Sequence, residues 1–146
     1  MGIIFLFIIA GYVSANYFQL MLLQGNSMEP AYHNGQFLIL DKYSKDYTYG
    51  DVIAIKKEGI SGYVVKRIVG VPGDLVCIRD GVLYVNEEVR SDLQQRIDFA
   101  GIAEEEIFLG EDRYFVLGDN LQESIDSRYE EIGLINRKEI KGKVIK

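Results

Sequence analysis

Residues Ile3 to Leu23 read "IIFLFIIAGYVSANYFQLMLL", 21 positions without one charged side chain, interrupted only by the small or weakly polar Gly11, Ser14, Asn16 and Gln19. As a helix rising ~1.5 Å per residue, this run reaches roughly 30 Å, one bilayer core. It predicts a transmembrane anchor over residues 1–24. A cleaved secretory leader is the competing reading, since "VSA" at Val13 to Ala15 has the small residues of a cleavage site. Against the leader, hydrophobicity continues through "YFQLMLL" and no basic segment precedes the run. The missing basic flank leaves orientation unset by loop charge and points to a longer natural N-terminus. "MGIIFL" lacks the Ser or Thr of a myristoylation signal.

The rest of the chain carries all of the charge. No Lys, Arg, Asp or Glu occurs before Glu29, and the chain's formal charge is −6 over 146 residues. That length fits one domain beside the anchor. An acidic domain is a poor nucleic-acid binder, because phosphate contacts need clustered Lys and Arg, and charge alone does not draw it to anionic lipid. The single cysteine, Cys77 in "LVCIRD", rules out an internal disulfide and reads as a small buried hydrophobe. With one histidine, His33, and no CxxC, no metal site is expected, and no cofactor.

The domain reads as mostly β. Strand-like runs cover Gln36 to Leu40 after an Asn34-Gly35 turn, Asp51 to Ile55, Tyr63 to Val69, Arg113 to Gly118 and the closing "KGKVIK". "DLVCIRDGVLYVN", Asp74 to Asn86, holds Asp80-Gly81 between two β-rich runs, a hairpin signal. One helical turn is expected near Asn136 to Ile140. The acid-rich stretch between Glu87 and Asp112 reads as an irregular excursion from the main sheet.

Three short stretches carry chemistry. In "GNSMEP", Gly25 to Pro30, the proline pushes Glu29 towards an extended conformation, so Ser27-Met28 lies in a fixed turn or strand. Gly25 permits unusual dihedrals and close approach of a substrate backbone. Such a serine suits a nucleophile whose own N–H helps form an oxyanion site, although most serines beside glycine are simply turn residues. A serine nucleophile needs a base. His33 is one candidate and Lys66 the better one. In "YVVKRIV" both faces are apolar, so the strand is expected to be covered on both sides. Lys66 then leaves water, and burial lowers a lysine from ~10.4 by up to roughly 3–5 units, making the neutral amine common. The plainer reading is a lysine snorkelling at a strand edge. Arg67 cannot serve as base, because guanidinium does not deprotonate in proteins, and suits an ion pair. In "GDNLQESIDSR", Gly118 to Arg128, Asp126 has Arg128 or Arg67 as partner, and Ser124 is placed to orient the Lys66 amine. A solvated polar loop is the bland alternative.

Taken together, these stretches resemble the bacterial type I signal peptidases, the Ser–Lys membrane proteases, in the short form seen in Gram-positive bacteria. "GNSMEP" is similar to the nucleophile box, "GDVIAI" with "VVKRIVGVPGD" to the strand pair and base box, and "GDNLQESIDSR" to the last box. They occur in the family's order across most of residues 25–128. Related Ser–Lys repressors lack the last box and the anchor, and the ER and sporulation branch has His in place of Lys66.

The resemblance implies an antiparallel β-sheet or barrel domain, residues 25–146, on the extracytoplasmic side of the plasma membrane. It implies Ser27 as acyl-forming nucleophile and Lys66 as general base, then general acid to the leaving amine. Ser124 would support Lys66, while Asp126, Arg128 and Arg67 would form structural ion pairs. Met28 and Gly25 would line the substrate cleft. Some members carry a serine as second oxyanion donor where this chain has Gly25. Ala31 and Leu121 replace a common Thr and a common basic residue. The implied substrates are preproteins, cut after small residues as in Ala-x-Ala, at the level of the membrane where Ser27 would stand, four residues past Leu23. Membrane lipid is the other expected partner, and the protein is expected to be a monomer. Two other functions stay open: a tethered β module that binds exported polypeptides without cutting them, and a Ser–Lys protease that processes its own chain.

Overall fold

The computed structural model describes residues 16–90, 92–93 and 95–145. Two antiparallel sheets make up the domain. The larger has seven strands in the order β1-β2-β11-β3-β4-β9-β10 and the smaller has four, β7-β6-β5-β8. In the large sheet these are β1 (Phe18–Leu22), β2 (Phe37–Asp41), β3 (Val52–Ile55), β4 (Val64–Gly70), β9 (Arg113–Leu117), β10 (Ile135–Asn136) and β11 (Ile140–Val144). The small sheet holds β5 (Leu75–Arg79), β6 (Val82–Val85), β7 (Glu88–Val89) and β8 (Ile107–Phe108).

Most strands fall where alternation and turn residues place them. The β5–β6 hairpin turns at Asp80 and Gly81, whose φ values of 53° and 79° are both left-handed. That is the backbone a two-residue turn needs to match the twist of its strands, and Asp-Gly adopts it at low cost. The helical turn expected near residue 136 is a 3-10 turn over Arg137–Glu139, closed by a capping box between Asn136 and Glu139. The stretch from Glu87 to Asp112 is less irregular than expected. It supplies β7, β8 and a 3-10 turn at Gly101–Glu104, and so completes the small sheet begun by the hairpin.

The N-terminal run needs a correction. Residues 3–15 of the expected anchor lie outside the described residues. Phe18–Leu22 form no part of a helix: they are a strand paired with β2, with Leu20 opposite Ile39 and Leu22 opposite Phe37. The pairing continues at Leu23, whose N–H donates to Gln36 O while its carbonyl accepts from Gly35. An apolar run has the same hydrophobicity in either conformation, and here the open edge of β2 supplies the partner that decides between them. Among the described residues no helix is long and apolar enough to cross a membrane.

Three apolar clusters hold the sheets. Leu23, Met28, Leu38, Leu40, Val52, Ala54, Val65 and Val144 pack under the β1–β2 end. Ile53, Ile55, Ile68, Tyr114, Val116 and Ile135 form the middle of the large sheet. Val69, Phe115 and Leu117 of the large sheet meet Val76, Ile78, Leu83 and Val85 of the small one. Gly70 sits at that joint, where a Cβ would collide with Leu109 and Val76. As expected, β4 is covered on both sides: Val65, Ile68 and Val69 each belong to a different cluster.

Candidate functional site

The β1 strand leads into a turn at residues 25–31, and Ser27 stands half-buried within it. β4, between β3 and β9 in the large sheet, carries Lys66 with only 4 % of its surface exposed. The two side chains meet: Lys66 Nζ lies 2.8 Å from Ser27 Oγ and donates to Val65 O at 3.1 Å. A carbonyl only accepts, so one N–H of the amine is fixed on Val65. In the neutral amine the lone pair is then free for the serine hydroxyl. Burial is the main reason the Lys66 amine falls from 10.5 to about 8, with Asp126 and Asp119 pulling it partly back up. A lysine in this state is a usable base just above neutral pH.

Ser27 and Lys66 line a groove of about 910 Å³. One wall is the chain from Met21 to Asn26, the other the chain from Glu58 to Val65, and Ile125 and Ile132 also line it. Gly25 belongs to this wall, at φ +90° with open space where a Cβ would stand. Its N–H donates to Asn34 Oδ1 at 2.9 Å, so it is already engaged and offers no second oxyanion donor. The Ser27 N–H has no hydrogen-bond partner among the described residues. Met28, expected in the cleft, is a correction: it is fully buried in the cluster with Leu23 and Leu38, its side chain turned away from the groove next to a serine that faces it. His33 is exposed and pairs with Glu29 Oε2 at 2.9 Å.

The last segment divides its ions in a definite way. Arg128 and Asp126 form a buried two-pronged pair, Nε to Oδ1 at 2.8 Å and Nη2 to Oδ2 at 3.0 Å. Arg128 also donates to the carbonyls of Leu121 and Ser124, and Asp126 accepts from the Gly118 N–H, so the pair ties the whole loop to the end of β9. Arg67 does not reach Asp126. It grips Asp119 with Nε and Nη2 at 2.7 and 2.6 Å and donates Nη1 to Gly50 O. Asp119 escaped the sequence reading because its signal is a register: Arg67 stands opposite Leu117, and Asp119 lies two residues further along. Ser124 is buried beside Gly118, where an added Cβ would strike both Ser124 Oγ and Ser27 O. Its hydroxyl makes no hydrogen bond among the described residues, so the expected bond to Lys66 is not formed here. No cluster of three His, Cys, Asp or Glu that could hold a metal occurs among the described residues.

A family profile described as signal peptidase, peptidase S26, matches residues 1–146. Signal peptidase I of Bacillus licheniformis is 34 % identical over 97 % of this chain and 82 % of its own length. Signal peptidase I P of Bacillus subtilis subsp. natto is 35 % identical, over 86 % and 74 %. The crystal structure of a signal peptidase I from Enterococcus faecalis superposes with a TM-score of 0.55 at 27 % identity, covering 69 % of this chain and 97 % of that one.

Proposed function

The chain belongs to the S26 signal peptidases, serine endopeptidases that remove signal peptides from preproteins, and from that premise we propose that Ser27 and Lys66 are its catalytic dyad. The observation that carries this reading is the 2.8 Å contact between a hydroxyl on a groove wall and a buried amine. The neutral Lys66 takes the Ser27 proton as Oγ attacks the scissile carbonyl. The Ser27 N–H faces the oxygen as it gains charge, and the Lys66 ammonium returns the proton to the leaving amine. Water then attacks the acyl-enzyme carbonyl with Lys66 again as base. Asp126, Arg128, Arg67 and Ser124 shape this centre without touching the reacting atoms.

Substrate lies extended along the groove between residues 21–26 and 58–65, past Gly25, where no side chain blocks the peptide backbone. We take cleavage to fall after small residues, as the family resemblance implies. Phe18, Leu20 and Leu22 of β1 and Phe37 and Ile39 of β2 form an exposed apolar face beside the nucleophile turn. That face, with the charge-free run before it, supports contact with lipid and an anchor among the residues before β1; we take the catalytic domain to be a monomer on the extracytoplasmic side, as the family resemblance implies.

The test is cleavage of a purified preprotein in detergent by wild type, Ser27→Ala and Lys66→Ala. We expect one cut after a small residue with the wild type and a loss of at least about 10³-fold in each folded variant. Activity should rise with pH through about 8, because the base form of Lys66 grows as its proton is lost. Cleavage by Ser27→Ala, or a rate flat across that range, would overturn the dyad.

A further inference from the structure

Resting on the dyad above, we propose that Asn120 is a positioning residue that aims the oxyanion-binding N–H of Ser27. The nucleophile sits between two peptide planes. The first joins Asn26 to Ser27 and carries the Asn26 carbonyl at one end and the Ser27 N–H at the other. The second carries the Ser27 carbonyl. Asn120 holds both: its side-chain Nδ2 donates to Asn26 O at 3.3 Å, and its backbone N–H donates to Ser27 O at 2.9 Å. Because a peptide is planar, fixing the direction of the Asn26 carbonyl fixes the opposite direction of the Ser27 N–H. Glu29 N–H adds a second bond to Asn26 O at 3.1 Å, so that carbonyl is gripped from two sides.

Asn120 is itself held by rigid parts. The preceding residue, Asp119, is clamped by the Arg67 fork on β4, and Gly118 donates its N–H to the buried Asp126. Gly118 also lets Ser27 O come close, since a Cβ there would strike that oxygen. The chain thus runs from β4 through Asp119 and Asn120 to the peptide plane that carries the Ser27 N–H. With the Gly25 N–H spent on Asn34, aim of the remaining donor matters more. A donor helps only where it points at the position the oxyanion will occupy. Tilting it preserves the fold and loses rate, because small misplacements at a reacting centre cost up to about 10²-fold.

Asn120→Leu and Asn120→Asp keep the size of the side chain and remove the donor, and Asn120→Ala is the variant to use if either fails to fold. Each is compared with wild type and Ser27→Ala on a preprotein, at the alkaline plateau of its own pH profile, so that a carboxylate acting on Lys66 does not enter. A peptide aldehyde, whose carbon bonds to Ser27 Oγ and whose oxygen then occupies the oxyanion position, is titrated beside the matching peptide alcohol, which forms no adduct. We expect kcat about tenfold lower in Asn120→Leu and lower still in Asn120→Asp, with KM within twofold. Aldehyde affinity should fall in parallel while alcohol affinity holds. Wild-type kcat in Asn120→Leu, or a change confined to KM and to the alcohol, overturns the positioning role and leaves the dyad standing. Cleavage by Ser27→Ala overturns both.

Discussion

The two sheets bury different things. In the small sheet the buried residues Val76, Cys77, Ile78, Leu83 and Val85 are all apolar. The buried polar or charged residues among those described are Lys66, Ser124, Asp126, Ser127 and Arg128, and every one sits on β4 or in the segment after β9. A core of hydrocarbon needs no partner for its atoms. A core containing an ammonium, a carboxylate and a guanidinium must satisfy each one or lose stability. The small sheet therefore shows what this chain does when only packing matters. The large sheet shows how far it departs from that at the groove, where an amine is kept out of water.

The contrast breaks hardest at the buried pair. Asp126→Ala leaves the Arg128 guanidinium buried without its carboxylate, and urea denaturation should show a loss of about 3–5 kcal/mol. In the small sheet, Leu83→Ala should cost about 2–5 kcal/mol by opening a cavity, yet leave kcat/KM of the folded fraction unchanged. A change in kcat/KM would mean that the small sheet shapes the groove.

Lys66→Met sharpens the comparison by turning the large sheet's core into the small one's kind. Because burial holds the native amine near 8 against 10.5 in the open chain, the unfolded chain keeps its proton over that window while the native one sheds it. Wild-type stability should thus climb as pH rises from about 8 to 10.5, and the climb should vanish in Lys66→Met. Below pH 8 the variant should be the more stable, by about 1–4 kcal/mol, while inactive. The smallest effect belongs to the apolar face. Leu20→Asn with Ile39→Asn should move folding stability by no more than about 0.5 kcal/mol each. In sedimentation with neutral lipid vesicles, the same pair should clearly weaken association of residues 16–146, and unchanged association would remove lipid from the reading of that face.

Much of this was legible in the sequence, and the failures have physical reasons. Turn residues and alternation located β2 to β6, β9 and β11 because Gly35, Gly50 and Asp80-Gly81 impose backbone conformations that few other residues accept. Ser27 and Lys66 stand out in the sequence because their boxes are short and local, and the structure brings the two side chains within 2.8 Å of each other. β1 was misread because Phe18, Leu20 and Leu22 stay apolar on the outward face, which erases the period that separates strand from helix. The two-residue strands β7, β8 and β10 are too short to carry a period at all. Partner choices were hidden for another reason. Whether Arg67 takes Asp119 or Asp126 depends on the pairing of β4 with β9, which brings together residues about fifty apart and leaves no local mark.

The place of β11 sets a clock. It lies between β2 and β3, so within the sheet the strands that lead to Ser27 pair with the strands that carry Lys66 through residues 140–144. A ribosome that has just made Lys66 has already made both members of the proposed dyad, but the strand that bridges their halves begins 74 residues later. Contacts of such separation form late. A chain stalled or clipped before residue 140 would therefore hold the parts of a protease without the bridging strand, and hydrolytic power would arrive only after residues 140–144 are made.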